Sequence, residues 1–393
     1  MQPEQIRAAY VHWPFCQRKC AYCDFVSWPA GAGQTDLYTQ CVLNEIAAVS
    51  AWSHQNGLAQ PLATVFFGGG TPSLARPDQL AAILAALSDQ FGLADDAEIT
   101  IEANPGTVTA QALQQLHTAG FNRISFGLQA AQDSLLQTLD RIHTCADFVQ
   151  SVRAAREAGF ARISADLMLG LPGQTLADVK ASLDLLLELG INHISYYSLI
   201  IEPGTPFADR YLDRPDLLPD EALEREMYHL VVDRLAEQGI RAYEISNAAA
   251  PGEMCRHNLV YWCGQPYYGF GIAAHNYAGG VRRGNTEDWR DYSRIWGEQS
   301  APGTGDWPFL ASNSSELIDE LEARKEMFLL GLRLIDGVAW ADFEARFGLD
   351  ARDLFAAAFS RLQRRGLLIC DSKGARLTGT GLDLANQVFA EFV

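Results

Sequence analysis

The 393-residue sequence has no uninterrupted apolar run near the ~20 residues that a membrane-spanning helix needs, so no transmembrane segment is expected. Residues 1–9 lack a basic cluster followed by an apolar core, so no secretory signal is expected there either; a cytoplasmic location is. Positive charge is scarce: 30 Lys and Arg face 48 Asp and Glu, a formal net charge of −18. A protein that wraps nucleic acid has the opposite balance, so nucleic acid is not an expected partner. No internal repeat or low-complexity tract stands out. Charged residues are only 20% and hydrophobic ones 48%, which excludes general disorder and supports a sizeable core. The length suits two or three domains, or one barrel of ~250 residues with a smaller unit. In the cytoplasm thiols stay reduced, so the eight cysteines read as ligands or packing residues before disulfides. Cys16, Cys20 and Cys23 fall close together; Cys41, Cys145, Cys255, Cys263 and Cys370 are scattered.

What is present is alternation. Short β-rich runs at 9–13, 64–67, 98–103, 123–127, 162–169, 193–199 and 241–245 are separated by helical patterns at 36–49, 78–91, 110–119, 133–139, 147–158, 176–189 and 220–238. Gly92, Gly120, Gly159, Gly190 and Gly239 mark helix ends. Such alternation predicts an α/β protein with parallel strands and crossover helices, either a complete or partial (β/α) barrel or an open doubly wound sheet. From 251 to 307 the pattern gives way to Gly, aromatics, Asn and Arg, which predicts an irregular covering segment. Helical patterns return at 314–335, 340–347 and 351–365, then a hairpin at 366–378 and a last helix at 381–393. This resembles a winged-helix module, and in an acidic chain it reads as packing or docking. The division expected is 1–250, 251–310 and 311–393.

Three groups of residues carry chemistry. Directly after the first strand comes Cys16-Gln17-Arg18-Lys19-Cys20-Ala21-Tyr22-Cys23. Three thiolates at this spacing on a polar loop suit a [4Fe–4S] cluster with one open iron, or a zinc site completed elsewhere. No second Cys pair with ribbon-like spacing exists to close a four-thiolate site. At the end of the second strand, Gly68-Gly69-Gly70-Thr71 lets the backbone approach a ligand closely and offer N–H groups to a carboxylate. Glu102, Gln129 and Asp166 stand at the ends of later strands, where barrel ligands converge. A buried lone carboxylate is costly, so Glu102 and Asp166 are expected to hold partners.

The C-x-x-x-C-x-x-C spacing, with an aromatic before the last Cys, resembles the radical S-adenosylmethionine (SAM) superfamily. Tyr10-Val11-His12-Trp13-Pro14-Phe15-Cys16, Gly68-Gly69-Gly70-Thr71-Pro72-Ser73, Ile101-Glu102-Ala103-Asn104-Pro105-Gly106-Thr107, Arg141-Ile142-His143 and Asp166-Leu167-Met168-Leu169-Gly170-Leu171-Pro172 narrow the likeness to its HemN/HemW branch. That branch holds oxygen-independent coproporphyrinogen III oxidases and haem chaperones, and the likeness covers nearly the whole chain. It implies a partial (β/α)6-type barrel with a C-terminal helical, winged-helix-like domain. It further implies a [4Fe–4S] cluster on Cys16, Cys20 and Cys23, and SAM contacts from Tyr10, Tyr22, Gly69, Gly70, Thr71, Glu102, Gln129, Arg141 and Asp166, with a backbone contact near Ile200. In the oxidases the cysteine motif continues as C-x-C; here Phe25 takes that position, as on the chaperone side.

Residues 255–262, Cys-Arg-His-Asn-Leu-Val-Tyr-Trp, match the H-N-x-x-Y-W motif of the chaperones. The match implies haem contact by His257, Asn258, Tyr261 and Trp262. A neutral imidazole is a good axial ligand, Cys255 is the rival, and Arg256, Arg282 or Arg283 can meet propionates. The alternative is a histidine bonded beneath a loop beside packing aromatics. Gly269-Phe270-Gly271 is expected to close the site from above. The resemblance makes the expected role haem binding and delivery to acceptor proteins such as respiratory enzymes, with a peripheral membrane encounter. The alternatives are an oxidative decarboxylase of coproporphyrinogen III, and a zinc or iron–sulfur structural module without catalysis.

Overall fold

Strands form where the sequence alternates, and the alternation sorts the sheet's two faces. A computed structural model describes residues 5–297 and 308–393; part of the expected covering segment, 298–307, and residues 1–4 of the leader reading lie outside it. Six strands, β1 (Ile6–Trp13), β2 (Ala59–Gly69), β3 (Leu93–Ala103), β4 (Arg123–Gln129), β5 (Arg162–Leu169) and β6 (His193–Ser198), pair in chain order and in parallel. One alternate set, including Val11, Phe67, Ile101, Phe126, Ala165 and Tyr196, packs with the crossover helices into the main core. The other set is polar and shares the opposite face.

Register arranges that polar set in layers. Toward the carboxyl ends of the strands, Glu102 pairs with Ser125 and Asp166 with Ser195. Toward the amino ends, Thr64 pairs with Glu98 and Arg123 with Arg162. The sheet does not close: β7 (Arg241–Glu244) and β8 (Asn247–Ala249) run antiparallel at one edge, and β9 (Tyr268–Phe270) runs parallel to β1 at the other. The fold is thus α/β, a mostly parallel barrel-like sheet left open. The run at 241–245 is a strand, as expected, but it enters by a hairpin and not by a crossover.

The later segments differ from expectation in three ways. The stretch from 251 holds a helix, Arg256–Trp262, then β9, then a three-stranded antiparallel sheet of His275–Ala278, Val281–Asn285 and Ser312–Leu317. Residues 314–317, expected to be helical, are the third strand of that sheet, because the alternate Ser residues pair with 281–285. The expected division at 311 therefore runs beside a strand that belongs to the preceding sheet. The final helix is broken into Gly379–Asp383 and Ala385–Phe389. The module beyond 320 has helices Glu320–Gly331, Trp340–Phe347 and Ala356–Arg364, a hairpin of Leu368–Cys370 with Gly374–Leu377, and its own core around Phe328. Among the described residues no helix is long and apolar enough to cross a membrane.

Candidate functional site

A cavity of about 300 Å3 opens at the carboxyl ends of the parallel strands. It is lined by Cys16, Cys20, Cys23, Tyr22, Gly69, Gly70, Thr71, Glu102, Gln129, Arg141 and Asp166, eleven residues singled out from the sequence. The cysteine loop and the glycine loop are clasped together. Gly70 N–H donates to Trp13 O at 2.8 Å and Thr71 N–H to Phe15 O at 2.9 Å, while the Thr71 hydroxyl lies 3.4 Å from Cys16 Sγ. A Cβ at Gly70 would stand 2.9 Å from two backbone carbonyls and 3.1 Å from Cys16 Sγ, so only glycine permits this approach.

Arg141 ties the cysteine loop to the sheet. Its guanidinium donates to Cys20 Sγ at 3.4 Å, Asn104 Oδ1 at 2.7 Å and Gly127 O at 2.9 Å, and Asn104 Nδ2 donates onward to Thr71 Oγ1 at 2.9 Å. Its Nε is buried without a hydrogen-bond partner. Gln129 holds a left-handed backbone, φ 70°, where the β4–β5 register breaks, and Tyr197 OH donates to its Oε1 at 3.0 Å. Such strain in a non-glycine residue concentrates at functional sites.

The two acids have partners too weak to offset their burial. Glu102 Oε2 accepts from Gly69 N–H at 3.2 Å; burial first, and the Asp166 charge second, push its carboxyl up to about 8. Burial pushes Asp166 up to about 6, against hydrogen bonds from Ser195 and Ser125, the latter at 3.2 Å. Two raised carboxyls facing one cavity suit a cationic ligand. Burial also pushes the Cys23 thiol up to about 11, so a metal that binds it must displace a proton.

Sequence reasoning passed over Asn104, Ser125, Gly127, Ser195 and Tyr197, which also line the cavity. The period of two could have found them, since they fall on the same face as Glu102 and Asp166. Two expected SAM residues are not on the cavity wall. Tyr10 lies a layer below: a Cβ at Gly68 would come 3.1 Å from its ring and 3.0 Å from Glu102, and its hydroxyl bonds His12 Nδ1 at 3.1 Å. Ile200 is 66% exposed, because the chain has already left the sheet after Ser198.

The residues of the expected haem motif lie apart from this cavity. The helix Arg256–Trp262 packs beneath the sheet, at the amino ends of the strands and away from the cysteine loop. His257 is 1% exposed, stacked on Phe66 with ring centroids 5.2 Å apart. Its Nδ1 bonds Thr64 Oγ1 and its Nε2 bonds Tyr261 OH, both at 2.9 Å, and burial lowers its pKa to about 3. Both ring nitrogens therefore have hydroxyl partners, one from the sheet and one from the helix itself. Cys255 is 2% exposed beside Glu98, which accepts His257 N–H at 3.1 Å and pairs with Arg162 at 2.9 Å. Asn258 and Tyr261 are half-buried, and Trp262 lies 4.4 Å beneath the Arg333 guanidinium. Arg256 pairs with Asp96, Arg282 with Glu326, and Arg283 stacks on Phe309. In the expected closing segment, Gly269 and Phe270 pair with Tyr10 and Val11 of β1. His257→Ala should therefore cost about 3 kcal/mol of stability through the cavity it leaves and two orphaned hydroxyls. Chemical denaturation measures this; unchanged stability would show that the ring's packing and hydrogen bonds contribute nothing.

Comparison with known proteins fits this geometry. A radical SAM superfamily model matches residues 10–186, and a HemN C-terminal domain model matches residues 318–384. The heme chaperone HemW of Bacillus subtilis is 36% identical, over 99% of each chain. That of Synechocystis is 39% identical, over 92% of this chain and 86% of its own. The radical S-adenosyl methionine domain-containing protein 1, mitochondrial, of Bos taurus is 35% identical, over 98% of this chain and 86% of its own. The structure of Escherichia coli coproporphyrinogen III oxidase, HemN, superposes with a TM-score of 0.82 over 99% of this chain and 90% of its own, at 22% identity, which shows a common fold. With relatives of this similarity along nearly its full length, the chain belongs to the HemN/HemW branch of the radical SAM superfamily.

Proposed function

We propose that the protein binds SAM against a [4Fe–4S] cluster held by Cys16, Cys20 and Cys23, and that it takes up haem and passes it to acceptor proteins. The residues fit the cluster. Three free, part-buried thiols line one cavity, with Arg141 Nε buried and unpartnered beside them. Among the described residues no three His, Cys, Asp or Glu stand close enough to hold a single metal ion. A four-iron cluster asks for something else, one thiolate on each of three irons. When bound, the cluster supplies an electron and an open iron for the amino and carboxylate groups of SAM. The protein's part is to shape and charge the site. Gly69 and Gly70 let the backbone come close, Glu102 and Asp166 meet positive charge, and Arg141 holds the cysteine loop onto the sheet.

The observation that carries the carrier reading over the oxidase is Phe25. It lines the rim of the cavity, 57% exposed, where the oxidase motif has its further cysteine. The name of the HemW relatives supports the same choice. Acceptors are respiratory enzymes, met at the membrane surface without insertion. Anaerobically purified full-length chain should take up haem, transfer it to a haem-free respiratory enzyme, and release no carbon dioxide from coproporphyrinogen III with SAM and reductant. Multiple turnovers to protoporphyrinogen IX would overturn the carrier reading.

A further inference from the structure

The guanidinium of Arg333 has aromatic neighbours and no acceptor. Just past the helix Glu320–Gly331, its backbone joins a short antiparallel ladder at the sheet edge: Ile245 N–H donates to Arg333 O at 3.2 Å and Ile335 N–H to Tyr243 O at 3.0 Å. The ladder fixes where the side chain starts. Its guanidinium lies 4.4 Å from the Trp262 ring and 6.0 Å from that of Phe389. Among the described residues this side chain makes no hydrogen bond or salt bridge, and its Nε is buried without a partner, as is Trp262 Nε1. Glu244 feels its charge but is fully buried, and is already held by Ser246 N–H at 3.0 Å and by the Asn247 amide. Native interiors seldom leave buried donors without an acceptor, so two side by side point to a group that the chain itself does not supply.

Such a group has a way in. Arg333 lines a cavity of about 380 Å3 between the sheet edge and the tail of the C-terminal module, with Arg225, Ile245, Leu384, Asn386 and Phe389 around it. Leu384 and Asn386 are exposed, so the cavity opens to solvent. Arg225 pairs with Asp383 at 3.2 Å, and Asp383 also meets His229 at 3.3 Å. Of the charged residues on the lining, Arg333 is the one without an ion pair.

We propose that Arg333 receives a propionate of the carried haem, whose ring edge lies against the apolar residues of this cavity. The proposal rests on the haem-binding reading above and adds one contact to it. Trp262 belongs to the motif whose match implies haem contact, and Arg333 stands directly on it. Of the arginines expected to meet propionates, Arg256 and Arg282 are paired with Asp96 and Glu326. Stacking occupies the faces of a guanidinium and leaves its N–H donors free in the plane. Those donors form a fork that matches a carboxylate with two parallel bonds. Ile245, Leu384 and Phe389 suit the edge of a macrocycle, and Arg333 suits the acid it bears. An arginine that only clamped the C-terminal module onto Trp262 would not distinguish a ligand's acid from its ester.

Titration of the anaerobically purified full chain with haem, and with haem dimethyl ester in which both propionates are blocked, tests this by absorption. The wild type should bind haem at least tenfold more tightly than the ester. Arg333→Gln should bind haem at least tenfold more weakly than the wild type does, with affinity for the ester unchanged, so that the preference disappears. Arg333→Lys, which keeps the charge without the fork, should keep a smaller preference. A wild-type melting profile certifies that each variant is folded. Should Arg333→Gln not fold, Asn386→Trp decides instead: at the exposed mouth it fills the cavity with Arg333 intact, and should abolish the same preference. If the wild type takes up neither ligand, the carrier reading fails and this contact with it. If the wild type binds both equally, or the deciding variant keeps the preference for the acid, the propionates are held elsewhere and only this contact is overturned.

Discussion

Anaerobically purified protein should contain about four irons and four labile sulfides per chain, and Cys16→Ala, Cys20→Ala or Cys23→Ala should each abolish them. The effect is expected to be all-or-none because each thiolate would hold a different iron, and losing one would leave a second iron without a protein ligand. Cys41→Ala and Cys370→Ala should leave the content unchanged. Cys41 is fully buried in the main core, and Cys370 belongs to the C-terminal hairpin. Iron and sulfide analysis decides it. Stoichiometric zinc without sulfide would return the site to the structural-module reading.

The second large effect is on SAM. Glu102 and Asp166 are the two acids of the cavity, raised to about 8 and about 6. SAM brings a sulfonium and an ammonium, and these are attracted only by the ionised forms. Binding must therefore release protons, and affinity should rise with pH through the window from about 6 to about 8, by up to tenfold per pH unit while one proton is released. The SAM-free protein should show the opposite trend. A native state that raises a carboxyl's pKa binds the proton better than the unfolded chain does, so this contribution to stability is lost as pH rises through the native values. Calorimetry in buffers of different ionisation enthalpy reads the proton release directly. Glu102→Gln keeps the shape, removes the charge, and should weaken SAM binding by about 10- to 100-fold, the equivalent of a charge-assisted hydrogen bond, while flattening the upper part of the pH profile. Affinity independent of pH in the wild type would remove both acids from SAM recognition.

The carboxyl-end site was legible because its chemistry sits in contiguous motifs. The cysteine loop, the glycine loop and the single polar residue after each strand can be read without knowing which strands neighbour which, and the parallel register then aligns Glu102 with Ser125 and Asp166 with Ser195. Ser125, Ser195 and Tyr197 were less visible because a serine or tyrosine in a strand looks like any other half-buried residue. The surroundings of the H-N-x-x-Y-W motif were not legible, for a physical reason. Histidine beside aromatics fits a ligand and a packed interior equally well, and only tertiary structure shows Thr64, nearly two hundred residues earlier, bonding the ring. The strand at 312–317 was hidden by its composition, because Ser-Asn-Ser-Ser-Glu-Leu has weak β propensity and is held by its ladder to 281–285. The antiparallel edge of β7 and β8 was missed because a hairpin and a crossover leave similar short apolar runs.

The most direct test of the account is whether SAM touches an open iron of a cluster on Cys16, Cys20 and Cys23. Reduced, cluster-loaded protein mixed with SAM labelled with nitrogen-15 or oxygen-17 in its amino and carboxylate groups should show an altered cluster resonance with hyperfine coupling to the label, and Glu102→Gln should diminish it at equal SAM concentration. A cluster spectrum unchanged by saturating SAM, with no coupling to either label, would contradict it.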